Sequence, residues 1–179
     1  MAGGMCRPRN QGRGMPADPE AIRKAAKRRE KEAEAFCSWL EGNGPPPKKL
    51  DRRLHQLLEE AMSGLDCTSC AACCREAYVV VTTEDIWRMA EALDMRRSDF
   101  RRAYIGRNED GDQCFNRQPC PFLKRNRLCR HYEARPDCCR DYPFSLAVDC
   151  RDKLENLSAN YLVCPAVTLA LDRLRAELT

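Results

Sequence analysis

Four thiols stand within eight residues in Cys67-Thr-Ser-Cys70-Ala-Ala-Cys73-Cys74, and no other stretch constrains the chain so tightly. Thiolates are soft ligands that suit zinc and iron–sulfur centres and not Mg²⁺ or Ca²⁺. Each two-residue spacer turns the backbone round, so one loop can aim three sulfurs at a common point. Three close thiolates and a distant fourth is how short Cys runs hold a [4Fe–4S] cube. Zinc ribbons use paired Cys-x2-Cys knuckles instead. The downstream thiols are isolated: eight residues separate Cys120 from Cys129, nine separate Cys129 from Cys139, and 24 separate Cys139 from Cys164. Zinc held by scattered thiols stays open. The residues point to a cysteine-liganded metal protein without naming the metal.

Thirteen Cys in 179 residues could also mean disulfides. The number is odd, however, and the vicinal pairs Cys73-Cys74 and Cys138-Cys139 suit a framework of separate bridges poorly. The first twenty residues carry positive charge but no apolar segment of the signal-peptide kind. A reduced thiol set in a cytoplasmic protein is the expectation. There is no apolar run of about 18 residues, so no membrane span is expected. Charge is uneven: residues 1–35 hold nine Lys+Arg against five Asp+Glu, and the remainder balances at 22 against 22. Arg follows Cys74, Cys129, Cys139 and Cys150, where a guanidinium favours the thiolate form.

The expected fold is α+β and mainly helical: a small metal-stabilised Cys-rich domain with one or two short hairpins, preceded by a helical N-terminal extension. Residues 1–18 are rich in Gly, Pro and Arg and read as a disordered basic tail. Residues 19–47 read as a polar helix, capped by Asp18 and Pro19 and ended by the Pro-rich linker 42–47. Its apolar residues gather at Ala35, Phe36, Trp39 and Leu40, which suggests a solvated stalk docked by its last turns. Cys37 reads as a small apolar residue near Trp39. The metal-binding domain is placed at 48–179, so removing residues 1–45 should leave metal content unchanged.

Within that domain, Leu50, Leu54, Leu57, Leu58 and Met62 share one face of a helix over 48–63, with Gly64 after it. Residues 77–82 read as a strand, and Thr82 with Asp85 as a capping pair opening the next helix. Ser98 begins a further short helix, and 106–118 reads as a loop. A hairpin is expected over 121–132, turning near Arg125-Asn126 because Asn tolerates positive φ. An amphipathic helix covers 165–178.

Taken in order, Cys67-x2-Cys70-x2-Cys73-Cys74, Pro119-Cys120-Pro-Phe-Leu, Cys129-x2-Tyr132-x2-Arg135-Pro136-x2-Cys139-Arg140-x-Tyr142-Pro143 and Cys164-Pro165 resemble a known family. It is the bacterial zinc- or iron-chelating cysteine-cluster domain, also called CxxCxxCC or YkgJ-like. The resemblance covers about 67–165 and implies eight ligand candidates: Cys67, Cys70, Cys73, Cys74, Cys120, Cys129, Cys139 and Cys164. A similar segment in flagellin lysine N-methylases implies a link to iron–sulfur and methyl-transfer chemistry. Here Arg127-Leu128 replaces the small or Gly residue often found before Cys129. Cys114, Cys138 and Cys150 are additional to the pattern.

Three functional readings follow. The first is a thiolate metal-binding protein holding zinc or iron, as an ion, a polynuclear centre or [4Fe–4S], in a chelating or structural role. The second is an iron–sulfur redox or methyl-transfer enzyme or subunit; no Gly-rich cofactor loop supports it. The third is nucleic-acid binding through the basic arm 7–31. It ranks last, because acidic residues interleave the arm and no aromatic precedes Phe36. The partner expected is therefore a metal ion or cluster, with no membrane; a protein partner is left open. His131 beside Cys129 is an imidazole alternative, ranked below the thiols, and His55 reads as structural. Arg135 and Arg140 read as neutralising thiolates, with anion binding as the alternative. Eight thiols exceed one mononuclear ion, so two sites or one polynuclear centre is expected. Adjacent side chains can diverge, and spacing alone leaves open whether Cys73 and Cys74 share a centre.

Overall fold

The structure, a computed structural model, describes residues 18–143 and 154–179. The expected basic tail (apart from Asp18) and Cys150 lie outside the described residues. Asp18 accepts a hydrogen bond from the Glu20 amide at 3.0 Å, and Pro19 takes the first position of α1, Pro19–Ala26. A second helix, α2, runs Glu30–Asn43. The single helix expected over this stretch is thus broken at Lys27–Arg29. No Gly or Pro marks the break; Arg29 there forms an ion pair with Asp172 at 2.6 Å, a tertiary contact that residue periodicity does not encode. The two helices are also docked along their length, since Ala26, Ala33, Phe36, Cys37 and Leu40 are all buried.

What they dock on comes from the far end of the chain. Helix α3, Pro47–Ser63, buries Leu50, Leu54, Leu57, Leu58 and Ala61 on one face. It packs against α10, Pro165–Leu178, which also contacts α1, α2 and α9, Leu154–Tyr161. Helix α2 lies on α9. Leu154, Leu157, Tyr161, Val167, Ala170, Leu171 and Leu174 complete one core shared by these five helices. Tyr161 hydroxyl donates to Asp172 Oδ1 at 2.8 Å, which satisfies the polar tip of a ring that is otherwise enclosed.

The residues between α3 and α9 build a second, smaller core from Val79, Val81, Ile86, Met89, Ala90, Phe100, Phe115 and Phe122. The expected capping pair is present: Thr82 Oγ1 accepts from the Asp85 amide and Asp85 Oδ2 from the Thr82 amide, opening α6, Thr83–Ala92. Helix α7, Arg97–Tyr104, leads into β1, Ile105–Arg107, which pairs antiparallel with β2, Gln113–Phe115. This hairpin falls in the stretch expected to be loop. Gly111, at φ +86°, makes the turn possible. The expected strand at 77–82 is reduced to a bridge between Val80 and Cys114, flanked by hydrogen bonds between Val81 and Gln113 and between Phe115 and Val79.

The hairpin expected over 121–132 is likewise a single bridge, Leu123 to Cys129. Its left-handed residue is Arg127, at φ +66°, and not Asn126. The Arg127 guanidinium donates to the Ser69 carbonyl. That bond compensates for a backbone conformation costing about 1–2 kcal/mol in a non-Gly residue. The fold is α+β and mainly helical. Among the described residues no helix is long and apolar enough to cross a membrane.

Candidate metal centre

The Cys loop is two short helical pieces with a left-handed joint. Asp66 accepts from the Thr68 amide at 2.9 Å and the Thr68 hydroxyl at 2.6 Å, and so caps α4, Cys67–Cys70. These bonds hold its carboxyl below the usual carboxylate range. Ala71, at φ +48°, ends α4 and starts α5, Ala72–Glu76. Ala71 and Ala72 are buried, which pins the joint between the sulfurs. Three tethers then fix the loop to later segments. The Cys74 carbonyl accepts the Cys120 amide at 2.8 Å, Gln118 Nε2 donates to the Glu76 carbonyl at 3.2 Å, and Arg127 holds Ser69. Gln118-Pro119, just before Cys120, is a cis peptide.

The eight thiols lie in two neighbourhoods, joined by a hydrogen bond between Cys73 and Cys74. Cys73 is pushed up by the Cys74 thiol hydrogen-bonded to it, then by burial, with Cys164 and Cys67 among its neighbouring charges. Burial also raises Cys164, and the neighbour acting on it is Cys70. Tyr142, raised by burial, feels Cys164, Cys73 and Cys70. Cys67, Cys70, Cys73 and Cys164 line one cavity of about 50 Å³ with Tyr142. The second set centres on Cys74. Burial pushes Cys120 up to about 11, with Cys74 and Cys129 acting on it. Burial raises Cys129 too, with Cys74 beside it. Cys139 is raised by its bond to Cys138 and by burial, and it feels Cys120 and Cys74. Cys120, Cys129 and Cys139 pack against the smaller core.

Backbone amides prepare several of these sulfurs for negative charge. Against burial, Cys120 is lowered by the Phe122 and Leu123 amides, Cys129 by that of His131, and Cys164 by those of Val167 and Ala166 at the start of α10. Such bonds favour the thiolate, the form a metal requires. Cys74 is already lowered, to about 7, by the Cys73 thiol donating to it and, against burial, by Arg75. Among the described residues no three His, Cys, Asp or Glu side chains are arranged closely enough to hold an ion as they stand. Closing either set on a metal therefore requires the thiols to rotate inward. The donor chemistry fits: clustered thiols are the donors that zinc and iron accept.

Residues 66–165 match the CxxCxxCC family, described as a putative zinc- or iron-chelating domain. The chain belongs to that family. No curated protein and no solved structure gives a match. All eight candidate thiols fall within the CxxCxxCC segment, with Cys67 and Cys164 at its two edges. The other described cysteines of the chain, Cys37, Cys114 and Cys138, sit elsewhere. Cys37 is buried in the helical core, where desolvation pushes it up to about 11. Cys114 is buried in β2 opposite Gly106. Cys138 is exposed and donates to the Val80 carbonyl at 3.0 Å. His131 sets its ring edge-on to Phe122, 5.8 Å between centroids.

The arginines of the CxxCxxCC segment are mostly struts. Arg140 Nε donates to the Arg135 carbonyl at 3.1 Å, and its Nη2 to that of Glu133. Arg135 lies over the Tyr132 ring at 3.7 Å, and its charge lowers Cys129 against burial. One clamp escaped the sequence reading. Buried Asp85 pairs with Arg88 and accepts the Asp137 amide at 3.0 Å, while Arg88 reaches Asp137 Oδ1 at 2.7 Å and the Arg135 carbonyl at 3.3 Å. It ties α6 to the start of α8, Asp137–Asp141, which carries Cys139. The Thr82–Asp85 capping pattern was visible; that Asp85 also serves a segment 52 residues on was not.

Proposed function

We propose that the chain chelates two metal centres, each held by four thiolates, with Cys67, Cys70, Cys73 and Cys164 at the first and Cys74, Cys120, Cys129 and Cys139 at the second. The observation that carries this reading is the cavity lined by Cys67, Cys70, Cys73 and Cys164 but not by Cys74, whose other thiol neighbours are Cys120, Cys129 and Cys139. Zinc or iron suits such donors, and zinc in four-thiolate sites is structural. The second centre joins the Cys loop to three segments of the smaller core. The first joins the same loop to α10 of the helical core. Metal would thus hold two cores together through one loop, and its binding energy would contribute to folding.

Iron–sulfur loading is the second reading, and it is favoured at the first set alone. There a Cys-x2-Cys-x2-Cys run meets a distant Cys164-Pro165, the three-plus-one arrangement of ferredoxin clusters. Metal analysis with the visible spectrum of anaerobically purified full-length chain separates the two. Two zinc ions in a colourless protein support ion chelation at both sets. A brown protein with acid-labile sulfide supports a cluster at the first. A metal-free protein whose Cys67–Cys74 thiols are tied in disulfides contradicts both.

A further inference from the structure

An element outside the CxxCxxCC segment touches both stretches that carry the first thiol set. The ligands of that set come from two places that the chain must hold together: the Cys loop and the short connection between α9 and α10 that ends in Cys164. Arg23, on α1, bridges them. Its Nε donates to the Leu162 carbonyl at 3.1 Å, two residues before Cys164. Its Nη2 pairs with Glu76, two residues after Cys74 and at the end of α5. The Arg23 side chain is only 14% exposed, against 42% for Glu76, so the guanidinium is largely enclosed between the two segments. Its charge also reaches Tyr142, which lines the cavity with Cys67, Cys70, Cys73 and Cys164. Tyr142 is itself held by a 2.6 Å hydrogen bond to Asn160 on α9.

We propose that Arg23 is a positioning residue for the first metal centre, clasping the Cys loop to the Cys164 connection and offsetting the charge of the loaded thiolates. This rests on the two-centre reading above. Four thiolates around a divalent ion leave a net charge of about −2, which a part-buried site must balance. A guanidinium suits the task, because its planar fork serves a carboxylate and a carbonyl at once and it stays charged. Linkage makes the effect mutual: whatever α1 adds to metal affinity, bound metal returns to the docking of α1.

The test is zinc competition against a chromophoric chelator, using the full reduced chain as wild type, Arg23→Gln and Arg23→Lys. A Cys67→Ser chain identifies which of the two ions belongs to the first set. The second set is the internal control, since general loosening of the fold weakens both. The result expected for Arg23→Gln is a loss of about tenfold or more at the first set, in the range seen when partners behind metal ligands are removed. The second set should change by less than about twofold on that scale. Arg23→Lys, which keeps the charge and loses the fork, should fall between wild type and Gln. Equal affinities in wild type and Arg23→Gln overturn the proposal, and so does parallel weakening of both sets. A wild-type chain that binds a single ion contradicts the two-centre reading itself, and this inference with it.

Discussion

Cys73 and Cys74 share a peptide bond, and their mutual hydrogen bond pushes the first thiol up and the second down. Cys74, lowered to about 7 chiefly by the Cys73 thiol, is the thiol nearest to the ligating form and the natural first ligand. Cys73, Cys120, Cys129, Cys139 and Cys164 are all raised above their ordinary value and stay protonated. Metal must displace those protons, so affinity should fall steadily as pH drops below 7, with several protons released per chain on loading. Calorimetry in buffers of different ionisation enthalpy measures that release. The metal-free chain should show the opposite trend in stability. A raised thiol is neutral in the fold, so its contribution is fully present below the unfolded value of about 8.5 and is lost as pH rises toward the folded one. Metal-free protein should therefore lose thermal stability above about pH 8.5. A second prediction separates the other vicinal pair. Cys138→Ser should leave metal content intact, because Cys138 is spent on Val80; Cys139→Ser should empty the second centre.

At the scale of elements, the Asp85–Arg88 clamp carries a testable burden. Arg88→Ala strips a buried carboxylate of its cation and leaves the Asp137 amide as the remaining tie of this clamp between α8 and α6. The expected cost is about 1–3 kcal/mol of stability, as for a buried acceptor losing a partner, read by chemical denaturation. Metal loss should be confined to the second centre. In the helical core, Leu54→Ala should cost about 2–5 kcal/mol, since Leu54 is 1% exposed and its truncation leaves a cavity in that core. Elements built on local signals were legible in the sequence. Helix α3 follows from its leucine spacing, α6 from Thr82 and Asp85, and α10 from Pro165 and its apolar stripe. Elements set by distant partners were not. The break between α1 and α2 answers to Asp172, β1 and β2 to each other across a Gly turn, and the left-handed Arg127 to Ser69. The candidate thiols were legible because ligand chemistry needs Cys itself. That eight thiols exceed one ion was legible too; which of them lie together was not, because it depends on how α10 returns beside the Cys loop.

On the scale of the whole molecule, the segments before and after the CxxCxxCC run share one core. The placement of a self-sufficient metal domain at 48–179 is a proposal that truncation tests. A chain lacking residues 1–45 loses Phe36, Cys37 and Leu40 from that core, along with Arg23. We expect it to keep the second centre, to hold the first more weakly, and to melt at lower temperature with the α9 and α10 faces uncovered. The central claim is that Cys73 and Cys74 serve different centres. It is tested most directly by native mass spectrometry of anaerobically metal-loaded full-length chain, as wild type, Cys164→Ser and Cys129→Ser. The account predicts two filled centres in wild type and one in each variant, the survivor being a different centre in each case. A single centre in wild type, or both variants losing the same one, would contradict it.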